Sequence, residues 1–250
     1  MTRMVDALVD KDTAVITFNN RGFEQISEVK RVRGKKREWI RAGAAHERFA
    51  DSPDDVQGAI NYVRRTGVKQ IHLAGHSTGA QKSIYWAYKH RGGRTVKSII
   101  LFGPLSDYAG YLAGTSASKR RKAVAHALSL VRRGKQHELM PPQLREWFAC
   151  DAQRFLSLYT PDSAEEIFTY AQPGKNPRAL KAARVPILVL LSGADEHTDR
   201  PTHEIAAWFR SHAKATDAVE IIPDASHSFT GAERRVARRI RSFINLRTHR

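Results

Sequence analysis

The chain has 250 residues, 41% of them hydrophobic, enough to bury one sizeable core and consistent with a single domain carrying an insertion. A formal net charge of +17 favours encounters with anions and carries no information about fold. No apolar run reaches the roughly 18 residues of a membrane span, no signal-peptide core opens the chain, and the lone Cys150 excludes an intramolecular disulfide framework and points to a reducing, cytoplasmic compartment.

In chain order, Met4 to Leu8 reads as the end of a helix with Val5 and Leu8 on one side. The β-branched and aromatic run Thr13–Phe18 predicts a strand, followed by a loop at Asn19–Phe23. Residues 24–50 read as irregular and basic, with Lys30, Arg31, Arg33, Lys35, Lys36, Arg37 and Arg41 carrying much of the charge. Ser52 and Pro53 stand as cap and first turn of a helix over Asp54–Arg65, with Val56, Ile60 and Val63 at helical spacing. A short strand through Ile71, Leu73 and Ala74 breaks into Gly75-His76-Ser77-Thr78-Gly79, and a helix carrying Ile84, Trp86, Ala87 and Tyr88 follows. Val96–Phe102 is a continuous apolar run of the kind found in strands buried on both faces. From Pro104 to Arg184 the pattern predicts helices only, at 119–133, 142–149, 151–159, 163–171 and 177–183. Val185–Leu191 is again a buried strand, running into Ser192-Gly193-Ala194-Asp195. A helix at 201–211, a strand at 218–222, a loop Pro223–Phe229 and a basic helix at 231–246 close the chain, with Val236, Ile240 and Phe243 facing inward. Strands alternating with helices predict an α/β fold: a mostly parallel sheet flanked by helices, with a core of 1–103 and 185–250 and a helical cap insertion at about 104–184.

The chemistry centres on G-x-S-x-G between a strand and a helix, a context that holds the serine hydroxyl out on a tight turn. Gly75 and Gly79 supply the lack of bulk such a turn needs, and the amide of Thr78 points toward an oxyanion formed at Ser77. A serine hydroxyl is a poor nucleophile near neutral pH. It needs a base within hydrogen-bond reach, and that base needs an acceptor to fix its tautomer. Three loops at the carboxyl ends of strands carry such groups in the order Ser77, Asp195, His227. His197, Asp199 and His203 match no zinc spacing, and no phosphate-loop or dinucleotide fingerprint occurs, so neither metal nor cofactor is expected.

The run TFNNRGF, the elbow GHSTG, the segment VPILVLLSGADE and the loop PDASHSF together resemble the α/β-hydrolase superfamily over residues 13–250. The region from ERFADSPDDVQGAI to GHSTGAQK is similar to a branch related to fungal siderophore-ester hydrolases. The resemblance implies Ser77 as nucleophile, His227 as base and Asp195 as acid, with Glu196, Asp199 and Asp107 as other carboxylates for that last role, and the cap falling between the sixth and seventh family strands. It also exposes a departure, because the family's fold has strands upstream, one of them ending in a His-Gly loop that gives a second oxyanion amide. The absent third strand belongs between the fourth and fifth, so Thr13–Phe18 must shift sideways to pair or leave a gap. Met1 is then a misassigned start or marks a truncated gene, and the cytoplasmic reading depends on it.

The activity expected is that of a serine hydrolase acting on a carboxylic ester, with a thioesterase, acyltransferase or small-peptide hydrolase sharing the machinery. The expected partner is a small ester or acyl substrate, anionic if the basic residues steer it. A rival from another class is a hydrolase-fold protein without turnover that binds an anionic partner. Trp39 alone among the basic residues is a thin stacking platform for nucleic acid, and sequence leaves the oligomeric state open.

Overall fold

The structure is a computed structural model that describes residues 2–248, so the expectation about Met1 lies outside the described residues. In chain order the elements are α1 (Thr2–Leu8), β1 (Ser27–Arg33), β2 (Lys36–Ala42), α2 (Ser52–Arg65), β3 (His72–His76), α3 (Thr78–Lys89), β4 (Ser98–Phe102), α4 (Asp107–Gly114), α5 (Ala117–Arg132), α6 (Ala152–Tyr159), α7 (Arg178–Ala182), β5 (Ile187–Ser192), α8 (Thr202–His212), β6 (Ala218–Ile222) and α9 (Glu233–Thr248). By contacts the chain divides into one unit of Met1–Thr17, Ala59–Ser106 and Ile167–Arg250, and a second of Phe18–Gly58 and Asp107–Glu166.

The first unit is built on a four-stranded parallel sheet in the order β3-β4-β5-β6. Every residue of β4 and β5 is buried, as continuous apolar runs require when helices cover both faces. On one face α9 sets Val236, Ile240 and Phe243 into a cluster with Ile100, Phe102, Leu188, Leu190, Ile222 and Phe229, and Met4 of α1 joins it. Residues Ala80–Ala87 of α3 are all buried, the polar Gln81, Lys82 and Ser83 included.

Thr13–Phe18 does not form the expected strand. Apart from a bridge from Thr13 to Asp10 it pairs with nothing among the described residues, and Ile16 and Phe18 remain 45% and 41% exposed. Its β-branched composition suits a strand, but propensity is realised only against a neighbouring ladder. The sideways shift needed to meet β3 does not occur, and β3 shares its ladder with β4 alone.

In the second unit, the basic stretch read as irregular is an antiparallel hairpin, β1–β2, in register from Ser27↔Ala42 to Arg33↔Lys36. Gly34, at φ 58°, opens the two-residue turn, a conformation in which glycine carries no steric penalty. Arg31 and Glu38 sit opposite each other and are joined by a 2.7 Å bond from Nε. Helix α5 is capped by Ser116 accepting from the Lys119 amide, and α6 by Asp151 accepting from the Arg154 amide at 2.8 Å. The core of this unit packs Tyr111 edge-on to Phe155 at 5.8 Å, together with Ala123, Ala127, Leu130, Met140 and Tyr159. The helices expected at 142–149 and 163–171 are irregular chain, and α4 was not foreseen. Among the described residues no helix is long and apolar enough to cross a membrane.

Candidate active site

At the end of β3 the backbone turns abruptly: Ser77 adopts φ 54° and ψ −125° before α3 starts at Thr78. A non-glycine residue in such a conformation costs about 1–3 kcal/mol and persists only where its surroundings hold it. Two bonds do so. The Ser77 amide donates to the Phe102 carbonyl at 2.9 Å, adding a rung to the β3–β4 ladder, and the Ser77 carbonyl accepts from the Ala80 amide at 2.8 Å. The two glycines differ in role. A Cβ on Gly75 would stand 2.1 Å from the Gly79 carbonyl oxygen, whereas one on Gly79 would meet nothing within 4 Å. Lack of bulk is therefore required at Gly75, and Gly79 is the backbone it approaches.

The loops after β5 and β6 are tied together by two rungs beyond the regular ladder, Gly193 N–H to Ile222 O and Ala194 N–H to Ala225 O, both 2.9 Å. They carry Asp195 to His227, whose Nδ1 lies 2.8 Å from Asp195 Oδ2, with Asp195's side chain only 2% exposed. Its other oxygen accepts from the His197 amide at 3.0 Å. An acceptor at Nδ1 assigns the proton there and leaves His227 Nε2 as the basic nitrogen.

Three further groups fix His227, and none was assigned this task from sequence. His76 Nε2 donates to the His227 carbonyl at 2.8 Å, and the two rings lie 4.7 Å apart. Burial first, with the nearby His227 as a smaller cause, holds the His76 imidazole below its ordinary value, against the opposing pull of that carbonyl bond. Glu196 accepts from the His227 amide at 2.9 Å, which is the largest cause of its lowered pKa. Gly103, at φ 50°, lets the ring approach: a Cβ there would be 3.1 Å from His227 Cε1 and Nδ1. The histidine loop itself is strained, with positive φ at Asp224 and Phe229. Placing Phe229 there costs about 1–2 kcal/mol. Its ring is fully buried, edge-on to Phe102 at 6.1 Å, and burial of about 1.5–3 kcal/mol offsets the strain.

The other carboxylates named for the acid role make different contacts. Asp199 is bonded by Arg200 at 2.7 Å, Glu196 serves the backbone of His227 rather than its ring, and Asp107 opens α4 within the field of Arg154. The His197 ring stands edge-on to His227 at 4.9 Å, and His203 lies on α8. Cys150 is buried, and burial pushes its thiol up to about 12, far from a nucleophile's range. The Ser77 amide is bonded to Phe102 and the His227 ring lies against Gly103, consecutive residues at the end of β4.

A family model described as "Protein of unknown function (DUF1749)" matches residues 48–245. The chain belongs to the DUF1749 family. Among solved structures this DUF1749 chain is similar to the α/β hydrolase GrgF from Penicillium sp. sh18, at 15% identity and TM-score 0.55, over 83% of this chain and 76% of that one. Est1E from Butyrivibrio proteoclasticus, solved with ferulic acid bound, is 16% identical with TM-score 0.52, over 84% of this chain and 73% of its own. A monoacylglycerol lipase from Paleococcus ferrophilus is 14% identical with TM-score 0.50, over 84% and 79%. At these identities the likeness is one of fold, and the fold is that of the α/β-hydrolases. Comparison with curated proteins finds no match. The narrower likeness to siderophore-ester hydrolases is not confirmed by these comparisons.

Proposed function

We propose that this DUF1749 chain is a serine hydrolase that cleaves a carboxylic ester through an acyl-enzyme. The observation carrying this reading is the 2.8 Å contact between Asp195 and His227 Nδ1, made where His227 lies against Gly103 and the strained Ser77 is bonded to the preceding residue. In the proposed reaction His227 Nε2 takes the Ser77 hydroxyl proton as Oγ adds to the ester carbonyl. Asp195 steadies the imidazolium through Nδ1–H. The Thr78 amide donates to the oxyanion; one such donor contributes about 3 kcal/mol to the transition state. Collapse of the adduct expels the alcohol, which takes its proton from Nε2. Water then attacks the acyl-Ser77, gives its proton to His227, and releases the acid. The α/β-hydrolase fold supports the reading, as does the likeness to a monoacylglycerol lipase. A thioester or amide would pass through the same steps.

The basic hairpin and the net charge of +17 favour a second reading, a hydrolase-fold protein that binds an anionic partner without turnover. A fluorophosphonate probe separates the two. Labelling of the wild type that disappears in Ser77→Ala and in His227→Ala, with unchanged circular dichroism, supports the hydrolase. Absence of labelling, or wild-type labelling in either variant, refutes it; salt-sensitive retention on a polyanion would then support the binder.

A further inference from the structure

In the second unit, two imidazoles converge on one buried carboxylate oxygen. His46 Nδ1 lies 2.9 Å and His137 Nδ1 3.1 Å from Asp151 Oδ2. We propose that His46, His137 and Asp151 form a binding site for a divalent first-row metal ion of the zinc type.

The chain is built to bring these groups together. Asp151 N–H donates to Ala45 O at 2.8 Å, which fixes the aspartate beside His46. The segment bearing His137 is clamped to the start of α6 by Ala152 N–H to Glu138 O at 3.0 Å and Gln153 N–H to Gln136 O at 3.1 Å, around a bridge of Leu139 with Asp151. Asp151 Oδ1 is occupied by the Arg154 amide, so only Oδ2 faces the two rings. The Gln153 amide nitrogen sits 3.4 Å from both His137 Nδ1 and the His46 carbonyl, closing one side.

Charge points to the same ligand class. Asp151 is 0% exposed and His46 4%, while the nearby buried guanidinium, Arg154, is engaged with Glu165 and lies 3.9 Å from Glu47. Among the described residues the Asp151 carboxylate is therefore met by the two imidazoles and the Arg154 amide rather than by a fixed cation of its own. Burying a carboxylate is costly unless it is paired, so a cation bound at Oδ2 would stabilise Asp151. Candidate donor atoms of the three residues lie within 4.8 Å of one another. Ligands on a tetrahedral ion with bonds of about 2.0–2.1 Å stand roughly 3.3 Å apart, so the two histidine–aspartate separations of 2.9 and 3.1 Å need to open by only a few tenths of an ångström. Two imidazoles and one carboxylate suit zinc, nickel, cobalt or copper and not the oxygen-seeking calcium or magnesium. His137 is about half exposed, which gives the ion an entry path and leaves room for water on its outer side. Bound there, the ion links residues 105 positions apart, a closure that an unfolded chain cannot offer.

The test uses the full chain stripped with EDTA and titrated with zinc alone, then with cobalt. One equivalent of zinc is expected, accompanied by a rise in Tm and by cobalt absorption bands of low-coordinate nitrogen and oxygen ligation. His137→Ala and His137→Gln, at a half-exposed position, should fold normally and bind at least about tenfold more weakly, with the cobalt bands lost. A wild type that binds no zinc overturns the proposal and leaves a metal-free histidine–aspartate clasp. Binding unchanged in both variants also overturns it, and places the ion elsewhere.

Discussion

Gly103 offers the sharpest test of how His227, the base proposed above, is held. Replacing it by alanine sets a methyl carbon 3.1 Å from His227 Cε1 and Nδ1, against a comfortable separation of about 3.5–4.0 Å. The ring must retreat by roughly 0.4 Å or more. It cannot do so freely, because Asp195 holds Nδ1 at 2.8 Å and His76 and Glu196 hold its backbone. Displacing a proton-transfer group by a fraction of an ångström to an ångström costs about 10–100-fold in rate. The φ of 50° adds a separate stability cost of about 1–2 kcal/mol. Gly134 separates these effects: its φ is 73° and a Cβ there meets nothing within 4 Å. With an activated nitrophenyl ester, Gly103→Ala should lower kcat by about 10–100-fold with little change in KM. Gly134→Ala should lose similar stability in urea and keep its kcat. If Gly103→Ala turns over within about twofold of wild type, the base is not gauged by contact with β4 and the reasoning fails.

The elbow glycines should move stability in opposite directions: Gly75→Ala, driving a Cβ to 2.1 Å from backbone, should cost about 3 kcal/mol or more, while Gly79→Ala, with open space in a helix, should gain about 0.5–1 kcal/mol in urea unfolding. Equal shifts would contradict the assigned approach. His72 and His76 are both held below the ordinary imidazole value of 6.5, chiefly by burial. The unfolded chain therefore binds protons that the folded chain refuses, so stability is full above about pH 6.5 and declines as pH falls below it. Tm followed between about pH 8 and 5 should fall less steeply in His72→Gln and His76→Gln, and an unaltered slope in both would refute the assignment. With a net charge of +17, kcat/KM for an anionic ester should decrease as ionic strength rises from about 0.01 to 0.15 M, while a neutral ester is unaffected. A flat profile for both counts against steering.

Buried strands were legible because a parallel sheet covered on both faces demands unbroken apolar runs, as in SIILF and ILVLLS. The hairpin at 27–42 escaped notice because its alternating charges look like a solvated loop until cross-strand partners such as Arg31 and Glu38 are known. Residues 163–171 misled in the opposite way. Ile167, Phe168 and Tyr170 are buried at intervals that mimic a helix, but the chain there is irregular and takes its burial from packing. At the candidate site, chain order favours Asp195 as partner of His227 without separating it from the neighbouring carboxylates, and the 2.8 Å contact is what separates them. The tasks of His76, Glu196 and Gly103 had no sequence signature, because they act on the backbone and ring face of His227 rather than on a recurring side-chain spacing.

Because among the described residues β3 is laddered on one flank only, the strand that precedes Ser77 is stiffened from β4 and from the helix behind it. Deuterium should enter its amides sooner than those of β4 and β5, which lie between neighbours on both sides. The proposed acid, Asp195, follows an inner strand, while the proposed base, His227, and the proposed nucleophile, Ser77, follow the two outer strands. Any ligand that lends β3 a second flank would tighten the aim of Ser77, the nucleophile proposed above.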